Sequence, residues 1–454
     1  MRTILLILCL IALSLENASA ASERPNVILV LIDDMGWGDL SCFGNTQAKT
    51  PNIDRLAAEG IRFSQFYVNS PICSPSRTAL MTGQYPQRWR ITSYLNNRAD
   101  NERRGMAQWL DIKAPFLARM LHENGYATGH FGKWHMGGQR DVGEAPLITE
   151  YGFDESLTNF EGLGPRLLGL SDAHDGKPPR RQALGSDLLG RGPVIWYDRS
   201  QLTSAYTGAA VQFIIKASME GRPFFVNLWP DDVHSPFFPP EAKLGDRSKR
   251  VLYHGVLETM DAQLGPLFER IRNTPKLRDN TLILLCSDNG HEPGAGSGGP
   301  FRGAKTTLYE GGVRSPLIAW GPGLIPTDRT GSHNATSILA AMDLAPSILS
   351  LTGTKVPGGV VFDGENLADT LTGKSTASRS APICWRRPPD RKSWEAQGLP
   401  AQPDLAIREG RWKLLCEYDG SKPELYDLEQ DPGEKADIAK ANPMIVKPLV
   451  ENVV

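Results

Sequence analysis

The sequence predicts an α/β fold: a mostly parallel central sheet flanked by helices, with a smaller C-terminal α+β subdomain. Three observations predict it. Short apolar runs alternate with helix-length amphipathic segments over most of the chain, the pattern of βα units. The first of these runs, "NVILVLI" at 26–32, is apolar at every position after Asn26, as a strand buried on both faces would be. The tail instead carries short strand-like stretches separated by turns, "AIREGRWKLLCEY" and "ELYDLEQDPGE".

The elements follow in order. "PNIDRLAAEG" reads as a helix between Pro51 and Gly60, with Thr50 as its cap. "PFLARMLHENG" (115–125) is a second, closed by Gly125, and "YATGHFGKW" follows as a strand with its exit loop. "TSAYTGAAVQFIIKAS" (203–218) reads as a helix feeding the strand "PFFVNLW" (223–229). A helix near 250–273 leads into the strand "TLILLCS" (281–287), "SPLIAW" (315–320) is a further strand, and 336–352 reads as helical. Between 160 and 200 the composition turns Gly- and Arg-rich without a period, predicting long loops over one face, where binding residues often sit. A Pro/Arg-rich patch at 374–404 precedes the tail, and no internal repeat is evident.

The first twenty residues are a separate object. Arg2, the apolar run "ILLILCLIALSL" and the small residues "ASA" at 18–20 predict a cleaved signal peptide, 1–20, and export to the periplasm or medium. The run is short for a membrane span, so no stable membrane insertion is expected once it is removed. A catalytic domain over 21–365 and a C-terminal subdomain with antiparallel strands over 366–454 account for the rest. A net charge of -2 and the absence of a Lys/Arg run argue against nucleic acid as a partner. Beyond the leader lie Cys42, Cys73, Cys286, Cys384 and Cys416, an odd number, so at least one thiol has no internal disulfide partner. Cys286 sits in a strand-like run and reads as buried. Cys73, in "PICSPSR", has surroundings more like an anion site than a core.

Two strands stop at pairs of oxygen ligands. Asp33 and Asp34 end the first, and Asp288 and Asn289 end "LILLCSDNG". Either pair alone reads as a turn former or cap. Two pairs on comparable strands, at the carboxyl edge where open α/β sheets bind ligands, point to a hard divalent cation such as Ca²⁺ or Mg²⁺. Cys73 directly precedes a predicted helix with Ser74 as cap and Pro75 at its first position, and the free N–H groups there favour negative charge. Arg77, one turn in, faces the same anion. "GKWHMGG" supplies Lys133 and His135, two apart, so that an extended backbone aims both to one side; "DVHSPF" supplies His234 and "FRGAKTTLYEGG" supplies Lys305. Each has a bland alternative as a solvated or structural side chain. A cation with several basic groups suits a tetrahedral dianion.

These stretches carry a family resemblance. "CSPSR" resembles the C-x-P-S-R signature of the formylglycine-dependent sulfatases, a branch of the alkaline-phosphatase-like superfamily. "DDMGWGDLSCFG", "TPNIDRLAAEG", "GKWHMG", "SDNG", "KTTLYEGGVRSPLIAWGPG" and "ELYDLEQDPGE" are similar to that family's other blocks in their usual order, from about residue 24 to 440. The resemblance implies that a maturation system, a formylglycine-generating enzyme or its equivalent, oxidises Cys73 to formylglycine. One hydroxyl of the hydrated aldehyde would attack sulfur and expel the alcohol, and the other would then eliminate sulfate. It implies one Ca²⁺ held by Asp33, Asp34, Asp288, Asn289 and modified Cys73. Arg77 would balance charge, Lys133 and Lys305 would hold sulfate oxygens, His135 would assist elimination, and His234 would protonate the leaving alcohol, with His291 an alternative. The family's further sulfate-binding serine is left open among Ser156, Ser171 and their neighbours. Asp231 and Asp232 are read as local acidity toward a sugar hydroxyl or amine.

The expected substrate is an O-sulfated carbohydrate, with Arg88, Trp89, Arg90 and the 160–200 segment as candidates to contact it. Two rivals stand beside this reading: a phosphodiesterase or phosphonate monoester hydrolase of the same superfamily, and a non-catalytic protein that binds sulfated glycans.

Overall fold

The computed structural model describes residues 24–159, 161–171, 178–388 and 402–454. The expected signal peptide and much of the 374–404 patch lie outside the described residues. The chain enters on β1 (Asn26–Ile32), passes α1 (Pro51–Glu59) to β2 (Ile61–Tyr67) and reaches α2 (Cys73–Thr82). Helix α3 (Leu117–Glu123) leads to β3 (Ala127–Gly132) and β4 (Glu155–Leu157). An excursion through β5 (Arg166–Ser171), β6 (Arg180–Gln182) and β7 (Val194–Asp198) precedes α4 (Leu202–Met219) and β8 (Phe224–Trp229). Then come α5 (Lys249–Arg272), β9 (Thr281–Ser287), α6 (Glu310–Val313), β10 (Arg314–Trp320), β11 (Ser332–Asn334), β12 (Leu339–Ala340) and α7 (Leu344–Leu351). The tail holds β13 (Ile383–Arg386), β14 (Leu405–Glu409), β15 (Trp412–Cys416), β16 (Glu424–Asp427) and α8 (Pro443–Val453).

The large sheet runs β11-β2-β10-β9-β1-β8-β3-β4, with β12 also on β2. Strand β10 pairs antiparallel with both neighbours; the other pairings are parallel. Both faces are covered, which is why β1 can be apolar at every position from Val27 to Ile32. Its odd-numbered residues Val27, Leu29 and Leu31 pack with Leu80, Leu117 and Ile348 of α2, α3 and α7. Its even-numbered residues Ile28, Val30 and Ile32 pack with Ile53, Phe213 and Leu257 of α1, α4 and α5. The tail strands form a separate antiparallel sheet, β13-β14-β15-β16.

Four local expectations need correction. The segment 160–200 is not only loop: β5, β6 and β7 form a small sheet in the order β6-β5-β7. Its residues show no clear alternation because β6 and β7 are largely exposed. Thr50 stands at the N-cap of α1 but caps no amide; its hydroxyl donates to Asp54 Oδ1 at 3.0 Å. Ser74 is likewise not the cap of α2, which begins at Cys73 with Ile72 before it. The helix expected over 336–352 is confined to α7 and a preceding 3-10 turn, because 339–340 is taken into the sheet as β12.

Gly132 ends β3 with φ +115°, and a Cβ there would lie 2.2 Å from the carbonyl oxygen of Trp229. Only glycine fits this turn, which delivers Lys133 to the strand ends. Gly132→Ala is expected to cost at least about 1–3 kcal/mol of stability, measured by denaturant unfolding.

Candidate active site

Strands β1 and β9 are parallel neighbours paired from Asn26↔Thr281 to Ile32↔Ser287, so both acidic pairs leave the sheet side by side. One oxygen each of Asp33, Asp34 and Asp288 lies within 4.8 Å of the others, and all three residues are buried. Burial together with the Asp33 charge pushes the Asp288 carboxyl up to about 7. Asp33 itself is held well below the usual range: burial opposes its charge, but Lys133 and Arg77 outweigh it. Asn289 donates from Nδ2 to Asp34 Oδ1 at 2.7 Å, while its Oδ1 is buried without a hydrogen-bond partner. A buried amide oxygen left unpaired beside three carboxylates is a set of hard oxygen donors, and it fits Ca²⁺ or Mg²⁺ rather than zinc.

Arg77, fully buried, underlies this set. It donates to Asp288 Oδ2 from Nη2 at 2.7 Å, to Asp33 Oδ1 at 3.0 Å and to the Lys133 carbonyl at 2.9 Å. Its guanidinium is taken up by the two carboxylates and the carbonyl, and it does not line the cavity described below.

Cys73 opens α2 and lines a cavity of about 470 Å³. Its Sγ lies 3.8 Å from Lys133 Nζ, and one atom each of Cys73, Asp33 and His234 fall within 4.8 Å of one another. Burial, then Asp33, push the thiol well above its ordinary value, so as a thiol it is a poor nucleophile. Lys133 donates to Asp33 Oδ2 at 2.7 Å and Lys305 to Asp34 Oδ2 at 2.6 Å. Although burial disfavours their charges, those carboxylates hold both ammonium groups protonated. His234 Nε2 stands 3.6 Å from Asp34 Oδ2, and Nδ1 is 2.7 Å from the Ser235 carbonyl oxygen. Burial, then Lys305, lower its pKa.

His135 lines the same cavity, but with φ +57° rather than through an extended backbone. Its Nε2 is 2.9 Å from the Leu95 carbonyl and its Nδ1 is buried without a partner. Glu161 was missed by sequence reasoning. It is 3% exposed, lines the cavity, and sets Oε2 3.5 Å from His135 Nε2. Burial pushes its carboxyl up to about 7. A lone Glu in a Gly-rich stretch carries no sequence signal; the backbone bond from His135 N to Glu161 O and a β-bridge between Gln139 and Glu161 bring it in.

Several other candidates lie off the cavity. His291 does not line the cavity; nor do Ser156 and Ser171, and the Ser171 hydroxyl donates to Arg180 O. Arg88, Trp89 and Arg90 also lie off it, and Arg88 is clamped on Asp363. Asp231 lines the cavity, but Asn159 and Arg199 occupy its carboxylate, and Thr203 bonds Asp232. The 160–200 segment does reach the cavity, through Glu161, Arg181, Gln182, Leu184 and Arg199. Cys42, Cys73, Cys286, Cys384 and Cys416 are all free thiols. Among the described residues no helix is long and apolar enough to cross a membrane.

Comparison with known proteins agrees with this geometry. Residues 25–354 match the Sulfatase family, and residues 302–452 match "N-sulphoglucosamine sulphohydrolase, C-terminal". The chain is 32% identical to N-acetylgalactosamine-6-sulfatase of Canis lupus familiaris over 94% of this chain and 84% of that protein. It is 31% identical to arylsulfatase A of Homo sapiens over 96% of this chain and 88% of that protein. The crystal structure of Ps i-CgsB in complex with k-i-k-neocarrahexaose matches with a TM-score of 0.75 at 28% identity, covering 94% of this chain and 92% of that one. With its signature cysteine beside a cluster of carboxylates at the carboxyl edge of a doubly covered sheet, the chain belongs to the sulfatase family, enzymes that hydrolyse sulfuric esters.

Proposed function

We propose that this protein hydrolyses the sulfate ester of an O-sulfated carbohydrate, releasing inorganic sulfate, with Cys73 matured to formylglycine and one Ca²⁺ at Asp33, Asp34, Asp288 and Asn289. The observation that carries the reading is that Cys73, Lys133 and Lys305 line one cavity, with the carboxylate cluster directly behind them, Asp33 on Lys133 and Asp34 on Lys305. Relatives named for sulfated sugars and the volume of the cavity support a saccharide.

When present, the cation and the hydrated aldehyde supply a polarised oxygen nucleophile and a second hydroxyl for sulfate release. The chain's own residues do the rest. Lys133 and Lys305, held charged by Asp33 and Asp34, bind sulfate oxygens and offset charge developing in the transition state. Arg77 orients Asp33 and Asp288 and, with Lys133, keeps Asp33 ionised. His234, at the cavity wall, protonates the departing alcohol, and His135, steadied by Glu161 and Leu95 O, takes the proton whose loss drives release. The leader composition supports export, to the periplasm or beyond, after maturation by a formylglycine-generating system.

Mass spectrometry of the residue-73 peptide from the native host, with parallel assays on aryl sulfate and aryl phosphate, tests the reading. An aldehyde and faster sulfate turnover are expected. Only thiol would favour the glycan-binding rival, and faster phosphate turnover the phosphodiesterase. Removing the cation with EGTA is expected to lower both activity and the thermal midpoint, with Ca²⁺ restoring both; an unchanged midpoint would count against a metal at the four residues.

A further inference from the structure

We propose that Arg140 and Arg181 form a second anion-binding position in this cavity, taking a carboxylate or a second sulfate on the alcohol part of the substrate. The proposal rests on the sulfatase reading and narrows its substrate class. It begins from the charges lining the cavity. Lys133 is paired with Asp33, Lys305 with Asp34 and Arg199 with Asp231. Arg140 and Arg181 line the same space and have no ion-pair partner among the described residues.

Each is positioned by the fold. Arg140 sits beyond β3 with φ +49°, and its Nε is buried without a hydrogen-bond partner. Glu161 feels the Arg140 charge but is turned toward His135. Burial pushes that carboxyl to about 7, so it gives Arg140 only part of a counter-charge. Arg181 projects from β6 with its guanidinium 4.8 Å over the Trp196 ring of β7. Stacking fixes the plane of the group and leaves its N–H edge for an oxyanion.

Position decides what these groups meet. The sulfate to be cleaved belongs with Cys73, Lys133 and Lys305, at the ends of β1 and β9. Arg140 and Arg181 come from other elements, the loop after β3 and the small sheet, and so serve the leaving group. The cavity exceeds what one tetrahedral anion fills, and Leu184 and Pro236 add apolar surface suited to a sugar face. An unpaired arginine pair facing a bound alcohol favours a further negative charge on it, most strongly a planar or tetrahedral oxyanion that accepts two N–H bonds.

The test measures selectivity. Matured wild-type enzyme and the variants Arg140→Gln, Arg181→Gln and Arg181→Lys are assayed on three sugar sulfates sharing one ester position. One is otherwise neutral, one carries a carboxylate, and one a second sulfate; para-nitrophenyl sulfate is run alongside. Wild type should prefer one or both doubly charged sugars, and the preferred one identifies the anion. Each Gln substitution should cut the ratio of kcat/KM, doubly charged over neutral, roughly 10- to 100-fold, mostly through KM, with Arg181→Lys in between. Arg181 is exposed, so its variants should fold even if Arg140→Gln does not. Equal losses on neutral and doubly charged sugars, or no wild-type preference, would overturn the subsite while leaving the sulfatase reading intact. No turnover of any sulfate, para-nitrophenyl sulfate included, would overturn both.

Discussion

Cys73→Ala is expected to lose turnover of para-nitrophenyl sulfate by about four to six orders of magnitude, the scale seen when a nucleophile is removed from a preorganised site. The reason is local. Lys133 and Lys305 would still bind the anion, but no atom at position 73 could take the sulfuryl group. Cys73→Ser is the sharper variant, because serine offers an oxygen nucleophile without a second hydroxyl to drive release. It should take one sulfuryl group from substrate and stop, gaining one SO₃ on the residue-73 peptide by mass spectrometry. Repeated turnover by the serine enzyme would refute the need for an oxidised side chain.

Lys413→Met should destabilise the fold by about 3–5 kcal/mol, since it strips one partner from a buried ion cluster. Lys413 is fully buried on β15 and sits 2.9 Å from both Glu310 Oε1 and Glu434 Oε1. Burial opposes charge on Glu310, yet Lys413 and Arg314 bring its carboxyl down to about 2, so it stays ionised and would be left short of a partner. Urea unfolding measures the loss. Lys216→Met, which removes the solvent-facing partner of Glu155, should leave the midpoint unchanged. Glu310 lies in the turn of helix after Lys305, so the Lys413 variant should also weaken sulfate-ester binding, read as a raised KM.

Much of this was legible in the sequence because the signals were local. An apolar run ending in Asp33-Asp34, and another ending in Asp288-Asn289, name both strands and the oxygen donors that follow them at once. The run 281–287 emerges as β9 with the bounds the sequence predicts, because burial on both faces leaves no ambiguity of period. What was not legible is relational. Arg77 reads one turn into a helix as an anion contact; only the packing of α2 against β1 and β9 turns it onto Asp33 and Asp288. Lys133 and His135 share a cavity through a left-handed residue, a route that alternation along a strand does not foresee. Glu161 and Arg181 carry no motif and reach the site through tertiary contacts alone. The small sheet β5–β7 escaped notice because its outer strands are too exposed to leave an apolar trace.

The tail is keyed into the larger sheet by side chains on both sides of the join. Trp385 on β13 donates from Nε1 to Val68 O at 2.7 Å, and Arg408 of β14 bonds the Tyr67 hydroxyl, which itself donates to Glu310 Oε2 at 2.7 Å. Such a lock makes the two parts poor candidates for exchange between relatives. A chimera that grafts a foreign tail at the start of β13 would have to import matching residues at 67, 310, 413 and 434 together, and divergence at any one of them has to be answered at the others.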